Sequence, residues 1–161
     1  MPNEMARVMV VEDERLIQVL IQDLLEMWGH EVEHASNGDR AIEMLFSKQY
    51  DLVVLDIMLG AVSGYDVLDE MSRIGVRERT RVVVVTGRTS EWDYLLGWMR
   101  GADEYIPKPF DPVRLKQVLE EMLTSSPEQL SARRRTEMEK SQMLFKLENS
   151  FGEEEGPPTV G

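Results

Sequence analysis

Apolar residues in this chain fall into two alternating patterns. Short unbroken runs, RVMVV at 7–11, LVVL at 52–55 and VVVV at 82–85, each give way to stretches where apolar positions recur every three or four residues. Valine-rich runs bounded by polar residues predict strands buried on both faces. Helical spacing follows over 16–28, from an Asn37 N-cap to residue 46, over 65–74, over 91–100, and over 112–123, opened by Pro112. Residues 31–35 alternate weakly and 104–106 are brief, and they supply the second and fifth strands. This fivefold alternation predicts an α/β fold, a five-stranded parallel sheet doubly wound by helices, (βα)5. Crossovers in such sheets keep one hand, so the strand C-termini share an edge, and ligands bind outside that edge.

The alternation stops at TSSP, residues 124–127, which divides a domain over 1–124 from an extension over 125–161. Residues 128–151 are charged, helix-compatible and patchily apolar, and contain Arg133, Arg134 and Arg135. The closing GEEEGPPTVG has the composition of a disordered acidic tail. Thirty acids against 18 bases give a net charge of −12, which argues against direct nucleic-acid binding. Without cysteine there is no disulfide, thiolate metal site or thiol nucleophile. The N-terminus shows no basic-then-apolar leader, and no run approaches the roughly 18 apolar residues of a membrane span. A cytoplasmic protein with no membrane contact is expected.

The residues just past each strand carry the chemistry. Glu12, Asp13 and Glu14 follow the first, Asp56 the third, Thr86 and Gly87 the fourth, and Pro107, Lys108, Pro109 and Phe110 the fifth. The shared edge gathers them into one cleft. Clustered carboxylates cannot all ionise cheaply unless a cation screens them. Oxygen ligands alone point to a hard ion, Mg²⁺ or Mn²⁺. A carboxylate beside such an ion, a lysine and a hydroxyl is equipped to attack a phosphoryl group, which makes Asp56 the candidate nucleophile. Taken alone, Asp56 reads equally well as a helix-capping or ion-paired acid. Asp13 and Lys108 beside it tilt the balance. Glu14 reads as a helix cap, and His30 and His34 as surface residues with no metal role.

These motifs resemble the receiver domain of bacterial two-component response regulators, a flavodoxin-like fold. The matching segments are VVEDE at 10–14, LVVLD at 52–56, VVVVTG at 82–87 and GADEYIPKPF at 101–110, within a resemblance over about residues 5–124. The resemblance implies Asp56 as phosphoacceptor, charged by a histidine kinase or phosphotransfer protein, and a chain that catalyses only its own phosphorylation and dephosphorylation. It implies Asp13 and Asp56 as metal ligands, with Glu12 acting through a water and Met58 through its carbonyl. Thr86 and Lys108 become the phosphoryl-contacting pair, Thr86 and Tyr105 the switch residues, and Lys108–Pro109 a cis bond. Where the family usually has proline, four residues after the phosphoacceptor, this chain has Gly60, so a more flexible loop is expected over 59–64. Met58 and Arg88 flank the site, which suggests a shielded, slowly hydrolysed acyl phosphate.

In the fourth helix Trp92, Leu95, Leu96 and Met99 form a stripe expected in the core, while Tyr94 and Trp98 share another face. Trp98 either lies on the surface or against the tail, or it joins Tyr94 and Tyr105 in a partner or homodimer surface. That surface would be the face of fourth helix, fifth strand and fifth helix through which receivers commonly signal. The acidic, proline-containing end favours a stand-alone receiver. The alternatives are a receiver fragment of a larger transcription factor or signalling enzyme, and a phosphorylation-independent scaffold.

Overall fold

In the computed structural model, which describes residues 4–151, the strands are β1 (Arg7–Val11), β2 (Glu31–Ala35), β3 (Leu52–Leu55), β4 (Arg81–Thr86) and β5 (Glu104–Pro107). The helices are α1 (Arg15–Met27), α2 (Gly38–Ser47), α3 (Gly64–Arg73), α4 (Glu91–Met99), α5 (Pro112–Thr124) and α6 (Pro127–Phe151). All strand pairings are parallel, in the order β2-β1-β3-β4-β5. The acidic tail expected after residue 151 lies outside the described residues.

The unbroken apolar runs are explained by which helices cover each face. Met9, Val11, Val53, Leu55, Val82 and Val84 pack against α2, α3 and α4. Their neighbours Val8, Val10, Leu52, Val54, Val83 and Val85 pack against α1 and α5. Burial of a side chain of this size stabilises by about 1.5–3 kcal/mol, so a polar residue in either set would weaken one layer. The helix starts follow local chemistry. Asn37 accepts from the Arg40 amide, Ser63 with Asp66 and Ser90 with Asp93 form capping boxes, and Asp111 accepts from the Val113 amide beside Pro112. Glu14 stands at the N-cap of α1 but makes no side-chain cap bond, contrary to its expected role.

Three further expectations are corrected. Met99 is 55% exposed rather than in the core, because α4 buries Leu95, Leu96 and Trp98 and turns its last residue outward. His30 and His34 are half-buried and bonded, not free surface residues. His30 Nδ1 accepts from the Ala6 amide at 3.1 Å, and His34 Nε2 lies 3.0 Å from the Glu12 carbonyl oxygen. Each ties a turn or strand to the neighbouring segment.

After a two-residue link, α6 crosses the β5 edge of the sheet. Its Leu130 is buried in the α1/α5 layer, and its Met138 packs against the α2/α3/α4 layer on the other side. No helix among the described residues is long and apolar enough to cross a membrane.

Candidate functional site

The strand order reverses between β1 and β3, which are neighbours although β2 lies between them in sequence. A cleft opens at such a switch point, beyond the strand C-termini. The Asp56 amide donates to the Val11 carbonyl at 3.0 Å and the Glu12 amide to the Ala35 carbonyl at 3.2 Å, so the first residues past β3 and β1 are held in the ladder. From β5 the Lys108 amide donates to the Thr86 carbonyl at 2.9 Å, and the Lys108–Pro109 peptide is cis.

The side chains converge as expected. Lys108 Nζ donates to Glu12 Oε1 at 2.5 Å and to Asp56 Oδ2 at 3.0 Å. The Met58 amide donates to Asp56 Oδ1 at 3.1 Å, and the Thr86 hydroxyl helps hold that carboxylate charged. Carboxylate oxygens of Glu12, Asp13 and Asp56 all lie within 4.8 Å of one another. Glu12, Asp56 and Thr86 are buried, whereas Asp13 faces solvent.

Charge is unbalanced here. Three carboxylates meet one ammonium, and Glu12 Oε2 is buried with no hydrogen-bond partner. Burial, and then the neighbouring Asp56, push the Glu12 carboxyl up to about 8. Burial pushes Asp56 the same way, but hydrogen bonds from Glu12, Lys108, the Met58 amide and Thr86 outweigh it and hold Asp56 below its ordinary range. Lys108 is held above its ordinary range because its bonds to the two carboxylates overcome the cost of burial. The spare proton therefore resides on Glu12 and leaves Asp56 an anion. An all-oxygen donor set with excess negative charge and an unbonded buried oxygen fits a divalent hard cation.

The loop after Asp56 has a geometry that proline cannot adopt. Gly60 takes φ +92°, and nothing lies within 4 Å of where a Cβ would stand. Proline is fixed near φ −65°, so this backbone could not hold the proline that the resemblance leads one to expect there. Turn bonds from the Leu59 and Gly64 amides to the Ile57 carbonyl, at 3.1 and 2.9 Å, define the loop.

The second cluster lies between Thr86 and α4. The Tyr105 hydroxyl donates to the Arg88 carbonyl at 2.5 Å, Arg88 Nε lies 3.2 Å from Asp93 Oδ1, and the Arg88 amide points to Thr86 Oγ1 at 3.4 Å. Arg88 is thus committed to Asp93 rather than free to shield the acyl position, while Met58 is 56% exposed. Burial raises the Tyr105 phenol well above its ordinary range, so it keeps its proton and donates it to the Arg88 carbonyl. Gly97 makes room for this ring: a Cβ there would stand 2.9 Å from two Tyr105 ring carbons. A glycine inside the apolar stretch LLGWM was the available signal, since glycine costs about 1 kcal/mol relative to alanine in a helix interior.

The expected aromatic partner surface does not stand free. Trp98 and Tyr105 are buried, and Tyr94 is half-buried with its ring centroid 4.5 Å from that of Tyr105. The covering element is α6, which lies against α4. Sequence reasoning noted the basic cluster Arg133, Arg134 and Arg135 but not its partners. Arg133 pairs with Glu104 and Arg134 with Asp103, both buried acids at the start of β5.

A family model for the response regulator receiver domain matches residues 8–120. The transcriptional regulatory protein DltR of Streptococcus agalactiae is 41% identical over 105 residues, covering 65% of this chain and 46% of DltR. The chain spans less than half the length of the curated relatives it matches. Among solved structures, the response regulator TrrA of Thermotoga maritima, in complex with Mg²⁺ and BeF, is 34% identical with a TM-score of 0.66, over 74% of this chain and all of TrrA. The chemotaxis response regulator CheY4 of Vibrio cholerae is 26% identical with a TM-score of 0.70, at the same coverage of this chain and all of its own. With the doubly wound sheet and the Asp56–Lys108 pocket at its switch point, these matches place the chain in the response regulator receiver family of two-component signalling.

Proposed function

We propose that Asp56 accepts a phosphoryl group from a phosphohistidine of a histidine kinase or phosphotransfer protein, and that the resulting charge switches the surface built around α4 and β5. The observation that carries this reading is the buried Asp56 carboxylate bonded to Lys108 and to the Met58 amide, with Thr86 at the end of the next strand. An Asp56 oxygen attacks phosphorus, the P–N bond breaks, and its electron pair returns to the imidazole, leaving an acyl phosphate. Lys108 and Thr86 are placed to bond the transferred oxygens, and the Met58 amide orients the attacking carboxylate. Asp13 and Asp56, with the Met58 carbonyl and Glu12 through a water, would hold a Mg²⁺ or Mn²⁺ ion that neutralises charge on those oxygens. The chain catalyses no other reaction. The exposed Met58 covers the acyl phosphate, which lasts longer than seconds.

Incubation with Mg²⁺ and acetyl phosphate followed by intact mass measurement tests this. Wild-type chain gains one phosphoryl group and the Asp56→Asn chain gains none. A phosphoryl gain in Asp56→Asn would overturn the assignment. The relatives of about twice this length are transcriptional regulators, which supports a second reading as the input part of a longer regulator with α6 as the connecting helix. The length of the encoding gene separates the two.

A further inference from the structure

α6 lies along α4 but buries little of itself there, and the acids beneath it do not depend on it for a cation. Among the described side chains of α6 only Leu130 and Ser141 are buried, Met138 packs on the α4 layer, and the Phe145 ring lies 5.4 Å from that of Trp92. Between these contacts Arg133 and Arg134 pair with Glu104 and Asp103. A buried carboxylate stripped of its only cation would cost several kcal/mol and would lock the helix in place. Here each acid has a second partner within the domain. Asp103 Oδ2 is 3.1 Å from Arg77 and accepts from the Val82 amide at 2.8 Å, and Glu104 Oε2 is 3.6 Å from Arg114. Withdrawal of α6 therefore leaves no buried charge unpaired. It uncovers the face of Trp92 that Phe145 covers, and the two acids that Arg133 and Arg134 meet.

The seat of α6 is also physically joined to the Asp56 pocket. Trp92 precedes Asp93, which caps α4 and pairs with Arg88. Arg88 in turn meets Thr86 through its amide and Tyr105 through its carbonyl. A phosphoryl group on Asp56 would draw the Thr86 hydroxyl, whose oxygen the Arg88 amide meets, and so bear on the Arg88–Asp93 pair at the first turn of α4, next to the ring on which Phe145 rests.

We propose that α6 is a displaceable cover over α4 and β5, seated in the unphosphorylated chain and released when Asp56 is phosphorylated. The surface it vacates is aromatic and acidic, and fits a helix that presents an aromatic ring and adjacent arginines as α6 does. The proposal rests on Asp56 as phosphoacceptor. Amide hydrogen exchange of the full chain, with and without Mg²⁺ and beryllofluoride as phosphoryl analogue, tests it. Amides of 130–148 should exchange about tenfold faster in the loaded chain, within the usual range of coupling between sites, while amides around Asp56 and Thr86 slow. Phe145→Ala should speed α6 exchange before any addition and leave β3 and β4 unchanged. Unchanged α6 protection in a chain whose Asp56 loop responds would overturn the cover and spare the phosphoacceptor reading, as would a Phe145→Ala chain with wild-type α6 exchange. No response in either region would overturn both.

Discussion

Two clusters of acids in this protein are balanced in opposite ways. At the Asp56 pocket, the buried Glu12 and Asp56, beside the exposed Asp13, share Lys108 as their one cation among the described residues. At the β5 edge, Asp103 and Glu104 share Arg77, Arg114, Arg133 and Arg134. The first cluster lacks positive charge and so fits a divalent cation. The second has cations to spare and can lose two of them without stranding a carboxylate. Charge count, more than the presence of charge, separates a site that binds from a site that lets go.

The largest test of this contrast removes the pocket's only cation. Lys108→Ala should lower stability in metal-free buffer by about 3 kcal/mol, as breaking a buried pair does. Mg²⁺ should then restore more of the thermal midpoint than it adds to wild type. Equal Mg²⁺ effects in the two chains would show that the pocket is not short of positive charge.

Gly97→Ala probes the joint between the two clusters. The new Cβ presses on the Tyr105 ring, and overpacking of this kind costs about 1–3 kcal/mol. Denaturant unfolding should show that loss, together with faster exchange in α6.

The pocket's spare proton should appear in the pH dependence of stability. Folded, Glu12 keeps its proton up to about 8, against an ordinary value of 4.5. Between those values the folded state binds more protons than the unfolded one, so this group's contribution to stability falls as pH rises through that window. Thermal midpoints of metal-free wild type and Glu12→Gln should diverge accordingly, with the variant lacking this fall. Parallel curves would place the proton elsewhere.

The smallest effect is expected at the β5 edge. Arg134→Gln should cost about 1 kcal/mol or less, because Asp103 keeps Arg77 and this pair is partly solvated. Arg77→Gln should cost more, since Arg77 also donates to the carbonyls of Thr80 and Gly101. Equal losses in denaturant titrations would mean that α6 is integral to the domain rather than a cover.

Much of the pocket was legible before any coordinates. Asp56 follows LVVL, Thr86 follows VVVV, and Lys108 stands between two prolines after the short fifth strand, so a parallel sheet with one common edge is enough to bring them together. The helix starts at Asn37 and Pro112 were legible for the same reason, because capping chemistry is local. Met99 was misread because the stripe was judged from spacing alone, without knowing where α4 ends against the domain. Gly60 was noticed as a departure, but its positive φ could not be read from residue type.

The sequence by itself determined the five strands, the doubly wound layers and the gathering of Glu12, Asp13, Asp56, Thr86 and Lys108. Each of these depends on periodicity within one element or on the rule that fixes which edge the strands share. Only the tertiary structure decided that α6 turns back across β5, that Tyr105 lies inward under Gly97, and that Asp103 and Glu104 are the partners of the arginine cluster. The ion pairs of α6 join residues about 30 positions apart, such as Arg134 with Asp103, and Trp92 meets Phe145 over a longer span, each as an isolated contact. Interactions of that kind repeat with no period, so they leave no pattern along the chain.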